Sequence, residues 1–505
     1  MSPNGKLLST RFVEKCLLKK QIKKKSRSIN VSNHAFRDIE PTWLNDSTLL
    51  FSSMTDGNFD IYLVRSADTT QRNIFKSLKH EIIPITKTAG DETALTVSPD
   101  GKKIAYVRGR GTFVVSDIDA KGKLSNEKIL SDSWDAPNGI AWSHDNKWLA
   151  YAISDLYYNQ EIFIQAADNS TKPVNVSMHP RTDGRPFWSA DGSKLGFISA
   201  RSAGRSADVW FVWLKKEDWE KETRDWQEKD TPTEIPSAKG GNDKKAPKPI
   251  QIDFDRIHER IVQVTNFPGD ESNLVISKDG ETFYYTTNSS TSKGRDLYSI
   301  KWDGTGLKEI TKGGANPNGI TMDKEGKYLY YRRLGSLGRI DVKTSLTETL
   351  PFVAKMKIDY IAERTQVFEE AWRTIRDGFY DPKFHGYNWV KLHDKYKERC
   401  INASTSNDFR DMFNLLLGEI NSSHMGLTVG DRADTQKETT GLLGAELVPV
   451  ANGVKITHVF PDTPADKASS KLDEGDVILS VNGEAVSENT NFHALMNTWS
   501  TRKFY

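Results

Sequence analysis

A short turn motif that recurs through the first two thirds of the chain is the feature that most limits how it can fold. The fullest copy is Ser-Pro-Asp-Gly at residues 98–101, which separates two apolar stretches. The acidic or amide residue of each copy stands at Asn4, Asp46, Asp100, Asp145, Asp191, Asp279 and Glu325. Most copies are about 45 residues apart, which is the length of one four-stranded blade of a β-propeller. The repeat therefore predicts a mainly β chain that opens with a β-propeller.

The same repeat predicts the extent of the propeller, residues 1–352, and the number of its blades. Seven copies favour seven blades, with six as the alternative. The first copy stands almost at residue 1, so the first blade lacks its innermost strand, and we expect a strand between Thr344 and Phe352 to complete it. Asp-Gly turns in hairpins are typical of type I′, in which both central residues have positive φ. We interpret the repeated Asp and Trp residues as structural.

One interval, between Asp191 and Asp279, has about twice the usual length, and its additional residues are charged. Residues 215–250 alternate Lys, Arg, Glu and Asp and then become rich in Pro and Gly. Such a sequence cannot bury enough apolar surface to offset the entropy that ordering costs. We therefore expect a mobile insertion. Trp219 and Trp226 leave open the alternative that it docks on the propeller.

Composition and charge exclude several kinds of partner. The 70 basic and 68 acidic residues leave a formal net charge of +2, so no nucleic acid partner is expected. Cys16 and Cys400 are too few for a disulfide framework or a cysteine zinc site, and we expect no cofactor. The sequence has no apolar run long enough for a membrane span and no signal-peptide core. These observations favour a cytoplasmic protein, with a periplasmic location left open if the native N-terminus is missing.

After Pro351 the apolar period changes from two to about 3.6 residues, which predicts a helical segment over residues 353–432. The segment contains FEEAW at 368–372, RDGFYDP at 376–382, HG at 385–386 and GEINSSHMG at 418–426. In this order they resemble the first core segment of tricorn-type serine proteases, whose core is similar to that of C-terminal processing peptidases. In that family the histidine of a Ser-His pair is the general base of a catalytic tetrad. The resemblance implies that His424 is the base and that Ser423 is its hydroxyl neighbour.

The chemistry of a serine peptidase agrees with this assignment. A serine hydroxyl becomes a nucleophile when an imidazole accepts its proton, and an acceptor on the other ring nitrogen must hold that imidazole in one tautomer. Histidine suits this task because its unperturbed pKa lies near neutrality. Ser423 can take part only if the chain turns there, because adjacent side chains diverge on a strand. We interpret His385 and His393 as structural.

The C-terminal residues 441–505 resemble a PDZ domain that lacks its final strand. The sequence DEGDVILSVNG at 473–483 is typical of a strand and turn of that family. PDZ domains bind a peptide as an added strand and hold its terminal carboxylate with backbone amides of a glycine-bearing loop. The candidate peptide-binding loop is Gly441, Leu442, Leu443 and Gly444. The alternative for these four residues is the ordinary start of a strand.

Two functions from different classes follow from these observations. The first is a tricorn-type serine peptidase for peptides or unfolded proteins, in which the propeller filters substrates and the full-length protein is a homo-oligomer. The second is a non-catalytic propeller–PDZ scaffold that binds peptides or proteins. A relation to prolyl oligopeptidases is disfavoured because the sequence has no Gly-x-Ser-x-Gly elbow. The family's nucleophilic serine and its glutamate follow the PDZ domain, so we expect this chain to be a fragment that is inactive alone.

Overall fold

The computed structural model describes residues 7–12, 15–20, 28–32, 34, 36–55, 57–202, 206–222, 225–226, 249–288, 293–333, 336–350, 359–428 and 440–496. The chain forms two compact units, Met1–Leu427 and Thr428–Tyr505. None of the helices in the described ranges is long and apolar enough to cross a lipid bilayer.

Antiparallel sheets, in which the strands pair in chain order, make up most of the first unit. Sheet 1 has three described strands, β1 Leu7–Phe12, β2 Lys15–Lys20 and β3 Ser28–Asn30. Sheet 2 contains β4 Asp38–Asn45, β5 Thr48–Ser53, β6 Asp60–Ser66 and β7 His80–Pro84. Sheet 3 contains β8 Glu92–Val97, β9 Lys103–Arg108, β10 Thr112–Ile118 and β11 Leu124–Asp132. Sheet 4 contains β12 Asn138–Trp142, β13 Trp148–Ser154, β14 Gln160–Ala166 and β15 Val174–Asn175.

Three further four-stranded sheets follow in the same pattern. Sheet 5 contains β16 Asp183–Trp188, β17 Lys194–Ser199, β18 Asp208–Trp213 and β19 Ile261–Gln263. Sheet 6 contains β20 Ser272–Ile276, β21 Thr282–Asn288, β22 Arg295–Lys301 and β23 Lys308–Glu309. Sheet 7 contains β24 Asn318–Met322, β25 Tyr328–Arg333, β26 Ser336–Asp341 and β27 Thr347–Leu350.

The first strands of sheets 2 to 7 contact one another in succession, β4 with β8, β8 with β12, and so on to β24. This pattern places the first strands side by side at the centre and the later strands outside them, as in the blades of a propeller. The prediction of a mainly β chain with propeller-like blades is thus confirmed. The number of blades in a closed ring stays a prediction.

The strand expected within residues 344–352 forms at a different place from the one predicted. β27 pairs with β26, and it is therefore the fourth strand of sheet 7 rather than the missing strand of sheet 1. The reason is local, because a tight turn follows β26 directly. Asp341 donates its N–H to the carbonyl of Leu346 at 3.0 Å, and its carboxylate accepts the N–H of Thr344 at 2.9 Å. Residues 351 and 352 lie outside the described ranges.

The repeated motif forms hairpin turns, but the turn type differs from the predicted type I′. In the fullest copy Gly101 donates its N–H to the carbonyl of Ser98 at 2.9 Å, and Gly101 alone has positive φ, of 72°. This is a type I turn followed by a left-handed glycine. The Ser98 hydroxyl donates to the Asp100 carboxylate at 2.7 Å and accepts a backbone N–H across the hairpin at 2.9 Å. Ser143 and Ser277 repeat these bonds, which explains why Ser and Asp recur together.

A bulge in the first strand of sheets 2 to 7 is a second repeated feature, and the sequence analysis did not predict it. In each strand the pairing register shifts around one residue with positive φ. These residues are Glu40, Ala94, Gly139, Arg185, Asn273 and Gly319. The side chain of Glu40 accepts the N–H of Leu95 at 2.9 Å, and that of Asn273 accepts the N–H of Gly319 at 3.2 Å. Two of the bulges therefore connect one sheet to the next.

Acidic pairs with at least one buried member lie between neighbouring sheets, at the end where second strands turn into third strands. The pairs are Asp60 with Glu92, Glu161 with Asp183, and Asp208 with Glu271. An arginine forms a salt bridge with the first two pairs, Arg108 to Glu92 at 3.2 Å and Arg201 to Asp183 at 3.0 Å. In the described ranges no basic side chain forms a salt bridge with Glu271. Burial, together with the neighbouring Asp208, raises the pKa of Glu271 to about 8.

The charged insertion begins with the short helix α1 Lys216–Trp219 and is described as far as Trp226. The Trp226 ring stacks on that of Trp213, with centroids 5.0 Å apart and planes at 14°, and meets Trp302 at 5.6 Å. The ammonium group of the buried Lys194 lies 4.3 Å from the centre of the Trp213 ring. Trp226 thus docks on the sheets, whereas Trp219 is 43% exposed. The mobility expected for residues 215–250 stays a prediction, and residues 223–224 and 227–248 lie outside the described ranges.

Three long helices follow the sheets: α2 Tyr360–Gly378, α3 Trp389–Ile401 and α4 Ser406–Glu419. Each has a side-chain cap at its N-terminus, from Asp359, Asn388 and Thr405 respectively. A column of nearly parallel rings connects α2 to α3 through the intervening loop. The column runs Trp372, Trp389, Phe384, Phe379, with successive centroids 5.0 to 6.0 Å apart. It fixes the turn Phe384–Gly386, which carries His385.

The helices contact sheet 2 through helix α2. Arg37 forms a salt bridge with Glu370, and both side chains are about three quarters buried. The Met54 sulfur lies 3.8 Å from the amide nitrogen of Gln366 and 3.9 Å from the guanidinium of Arg373. Met54 stands in the loop between β5 and β6. The helical segment therefore lies at the end of the sheets where second strands turn into third strands.

The second unit contains a small sheet of β28 Ala445–Val450, β29 Gly453–Val459 and β30 Val477–Ile478. A hairpin of β31 Ser480–Val481 and β32 Glu484–Ala485 and the short helix α5 Phe492–Leu495 complete it. The core consists of the buried side chains Val454, Val481, Val486, Phe492 and Met496. In the described residues β28 pairs with β29 alone, so that no described strand pairs with its other edge.

Candidate functional site

His424 lies in a short turn that follows helix α4. Ser423 and His424 are both exposed, and His424 has a φ of 58°, in the left-handed region. The turn that Ser423 would need in order to act beside the histidine is present. Within the described residues neither side chain has a hydrogen-bond partner. The imidazole is therefore accessible to a substrate or to a serine from another part of a protein.

The residues just before this turn are held by helix α3. The carboxylate of Glu419, the last residue of α4, accepts a hydrogen bond from the hydroxyl of Tyr396 at 2.7 Å and another from the ammonium of Lys395. The hydrogen bonds to Lys395 and Tyr396 lower the pKa of the Glu419 carboxyl. Ile420, which follows, is fully buried. This contact fixes the point at which the chain leaves the helix.

His385 provides a second anchor on the same side of the turn. Its Nδ1 lies 2.9 Å from the carbonyl oxygen of Ile420, and its Nε2 lies within hydrogen-bond distance of the Tyr380 hydroxyl. A carbonyl can only accept, so Nδ1 carries a hydrogen and Nε2 of the neutral ring accepts from the tyrosine. The backbone N–H of His385 donates to Asp381 at 2.7 Å, which supports its left-handed φ of 54°.

The residues just after the turn return to helix α4. The side-chain oxygen of Asn414 accepts the N–H of Leu427 at 2.7 Å. Met425 and Leu427 pack against the core that α2, α3 and α4 share. His424 is thus the exposed point of a short loop that is attached to the helices on both sides.

Sequence reasoning missed the residues that hold the loop. It interpreted His385 as structural, which agrees with this anchoring role, but it did not connect His385 with the loop and did not select Tyr396, Lys395 or Asn414. In the structure His385 bonds Ile420, which stands four residues before His424. Tyr396 and Lys395 bond Glu419, which stands five residues before it. The order of the motifs could have drawn attention to His385, because it stands in the same set of motifs as His424.

His393 has a different environment from His385. It bonds the carboxylate of Glu369 at 3.0 Å and contacts the rings of Phe368 and Trp372, so it links helix α3 to helix α2. None of these partners belongs to the loop that carries His424.

The candidate peptide-binding loop, Gly441 to Gly444, stands directly before strand β28 and is fixed at both ends. Gly441 donates its N–H to the carbonyl of Met496 at 2.8 Å, and the Gly444 carbonyl accepts the N–H of Phe460 at 2.9 Å. Gly444 has a φ of 78°, and a Cβ atom there would clash with the side chain of Thr463. Leu442 is 71% exposed, whereas Leu443 packs against the core of the unit. The loop therefore stands next to the edge of β28 with which no described strand pairs.

Two family models match the helices and the second unit. Residues 360–418 match the model described as the Tricorn protease C1 domain, and residues 421–498 match the PDZ domain model. The first match spans α2, α3 and nearly all of α4. Ser423 and His424 fall at the beginning of the second match.

Curated proteins and a solved structure extend the likeness to the sheets. A tricorn protease homolog of Saccharolobus solfataricus is 22% identical over 432 residues, which cover 79% of this chain and 38% of the relative. Tricorn protease homolog 1 of Streptomyces coelicolor is 24% identical over 434 residues, covering 78% and 40%. The crystal structure of the tricorn protease superposes with a TM-score of 0.62 at 14% identity over 97% of this chain and 48% of that chain, which shows the same fold.

The chain spans less than half the length of these curated relatives. The likeness nevertheless includes the sheets, the C1 helices and the PDZ unit in one order. In its fold, in the helices that match the C1 model and in the unit that matches the PDZ model, the chain is thus similar to the tricorn-type proteases.

Proposed function

We propose that this chain is the propeller, C1 and PDZ part of a tricorn-type serine peptidase that cleaves peptides or unfolded proteins. The three parts are residues 1–352, 353–432 and 441–505. The observation that carries the proposal is the position of His424, exposed on a turn that Glu419, Ile420 and Leu427 attach to the helices. A general base needs this combination of access and fixed position.

In this proposal His424 accepts the proton of a serine hydroxyl as that oxygen attacks the carbonyl carbon of a peptide bond. It then returns the proton to the leaving amine. Ser423 lies beside it in the turn and donates or accepts a hydrogen bond in the same tetrad. The nucleophilic serine, the acid and the oxyanion amides belong to other sequence of the full-length protein. This chain alone is therefore expected to be inactive, because losing triad members costs several orders of magnitude in rate.

The other two parts deliver substrate in this proposal. The loop Gly441 to Gly444 binds the carboxylate of a peptide whose backbone adds to the edge of β28 with which no described strand pairs. The propeller admits extended chains and excludes folded proteins. We further propose that the full-length protein is a cytoplasmic homo-oligomer.

A non-catalytic scaffold is the second candidate. It is favoured by the edge of β28 with which no described strand pairs, where a peptide can add as a further strand. In a scaffold the second unit would bind peptides, and His424 would have no role in the reaction of any partner.

The two candidates differ in a cleavage assay. We would express residues 1–505 and a version extended through the reading frame that follows, and incubate each with fluorogenic peptides. A peptidase predicts cleavage by the extended protein alone, lost in His424→Ala and retained in His258→Ala, which changes a histidine of the sheet region. Cleavage by the extended protein that survives His424→Ala would contradict the assignment of the base. No cleavage by either version would favour the scaffold.

A further inference from the structure

The tip of the hairpin between β13 and β14 exposes three large apolar side chains in succession. Leu156, Tyr157 and Tyr158 are 73%, 89% and 79% exposed, respectively. Single exposed apolar residues are ordinary in soluble proteins, but contiguous apolar patches mark sites of interaction. Met178 adds to the same region, since it is 58% exposed and precedes His179, whose carbonyl accepts a hydrogen bond from the hairpin residue Asn159 at 3.1 Å.

The hairpin tip is held in place by its own hydrogen bonds. The Asp155 carboxylate accepts the N–H groups of Tyr157 at 2.8 Å and Asn159 at 2.9 Å, and Tyr158 donates its N–H to the Asp155 carbonyl at 3.1 Å. The Tyr158 ring meets that of Trp134 edge-on, with centroids 5.8 Å apart. The side chains are therefore presented in a fixed arrangement rather than on a loose loop.

The hairpin tip lies at a defined end of the sheets. It joins the second strand of sheet 4 to the third, as the loop with Met54 does in sheet 2. Because the sheets share one strand order, both loops lie at the same end, and Met54 contacts helix α2 there. The corresponding loop of sheet 3, at residues 109–111, is short and contains two glycines and an arginine. The apolar tip of sheet 4 thus has no counterpart in sheet 3, and it lies at the end where the helical segment is attached.

We propose that Leu156, Tyr157 and Tyr158 form a docking site for apolar segments of unfolded polypeptides. The inference rests on the proposed function and adds a site at which substrates first bind. At roughly 200 Å² for each large side chain, the tip exposes on the order of 500 Å². Stable interfaces bury about 800 Å² on each partner, so the tip is too small for a permanent subunit contact and fits a short, transiently bound segment.

Two tyrosines suit a site that must accept many sequences. Tyrosine offers a large, rigid and amphipathic surface at a low cost in side-chain entropy, and binding surfaces with broad recognition use it for this reason. Apolar side chains are buried in native proteins and exposed in unfolded ones. The tip therefore distinguishes unfolded polypeptides from folded ones by their exposed apolar side chains, which is the distinction that a substrate filter requires.

The test uses the 505-residue chain and a fluorescent probe, reduced and carboxymethylated α-lactalbumin, with native α-lactalbumin for comparison. A second probe, a long peptide rich in leucine and phenylalanine with an amidated C-terminus, removes any carboxylate recognition by the second unit. The test variant is Leu156→Ser/Tyr157→Ser/Tyr158→Ser. The matched control, Leu78→Ser/Leu307→Ser/Leu346→Ser, removes three exposed leucines from loops at the opposite end of the sheets.

We expect the wild type and the control variant to bind both unfolded probes and the test variant to bind them about tenfold more weakly. Equal affinity of the test variant would overturn the inference. The inference would also be overturned if the same substitutions left probe binding intact but abolished another interaction. That interaction would be concentration-dependent self-association of the chain or its binding to phosphatidylcholine–phosphatidylglycerol vesicles. Because binding needs no catalysis, His424→Ala should bind the probes as the wild type does. A failure of this site and a failure of the proposed peptidase function are therefore distinguishable.

Discussion

The Nδ1 atom of His385 lies 2.9 Å from the carbonyl oxygen of Ile420, four residues before His424. This bond joins the loop that precedes helix α3 to the loop that carries the proposed base. Since Tyr380 bonds the other ring nitrogen, the imidazole is fixed at both ends. The position of His424 therefore depends on a histidine almost forty residues earlier in the chain.

We predict that His385→Ala loosens the loop after helix α4. Loss of one hydrogen bond leaves the Ile420 carbonyl without its donor, at a cost of about 1 kcal/mol. Amide hydrogen exchange at residues 421–427 should become faster, and His385→Asn should restore part of the protection because its amide can donate. His393→Ala serves as the control, since His393 bonds Glu369 and leaves this loop untouched. Unchanged exchange in His385→Ala would show that the bond does not fix the loop.

The buried pair of Asp208 and Glu271 makes stability depend on pH. Glu271 has a pKa of about 8 in the folded chain, against 4.5 ordinarily, so the folded state keeps a proton that the unfolded state loses. Stability therefore falls as the pH rises from about 4.5 to about 8. Glu271→Gln removes this dependence, and its melting temperature should rise relative to the wild type across that window.

Glu92→Gln is the matched variant at an equivalent position, where Arg108 forms a salt bridge with the carboxylate. Glu92→Gln removes the carboxylate that pairs with Arg108, so we expect this variant to have a lower melting temperature than the wild type at neutral pH. If the difference in melting temperature between Glu271→Gln and the wild type were constant from acidic to basic pH, the assignment of the raised pKa to Glu271 would be wrong.

We predict that Gly444→Ala destabilises the second unit by about 2 to 3 kcal/mol. A Cβ there collides with the side chain of Thr463, in addition to the strain of a φ of 78°. Gly483→Ala separates these two effects, because Gly483 has a φ of 85° and no described atom lies within 4 Å of the place where the added methyl group would stand. Chemical unfolding followed by signals from residues 440–496 provides the measurement. Equal losses in the two variants would mean that contact with Thr463 has no cost.

We predict that Trp226→Ala destabilises the boundary between sheets 5 and 6 by about 1 to 2 kcal/mol. The substitution removes the stacking partner of Trp213 and exposes the ring beside the Lys194 ammonium. The near-ultraviolet circular dichroism of the tryptophan cluster should decrease along with the melting temperature. Trp219→Ala is the control, since Trp219 is 43% exposed and should leave both unchanged. A Trp226→Ala variant with wild-type values would contradict docking.

Sequence reasoning was successful where the determining contacts are local. The Ser-Pro-Asp-Gly turn contains its own hydrogen-bond donors and acceptors, so the repeat indicated hairpins and hence blades. The turn type was wrong, because the hydroxyl of Ser98 stabilises a type I turn that the Asp-Gly pair alone does not indicate. The motif order implied that His424 is the base; the residue is exposed, and its role stays a prediction.

Features that depend on distant residues could not be predicted in this way. The bond between His385 and Ile420 requires the packing of three helices, and the docking of Trp226 requires two sheets to meet. The strand Thr347–Leu350 was assigned to the wrong sheet because its pairing is decided by the turn at Asp341. The bulges could not be recognised from the sequence because no single residue type marks them. The six positions carry glutamate, alanine, glycine, arginine, asparagine and glycine.

That mixture of residues at the bulges has a consequence for how the inner strands can evolve. The backbone takes the same path in six sheets whatever side chain the left-handed residue carries. The left-handed residue of the first strand can therefore be acidic, basic, an amide or a glycine in different sheets. The backbone pairing of the neighbouring strands does not change with it. Where Glu40 and Asn273 reach the next sheet, a change of residue costs one hydrogen bond. The same backbone geometry thus allows the side chains at the bulges of the first strands to differ in chemistry from one blade to the next.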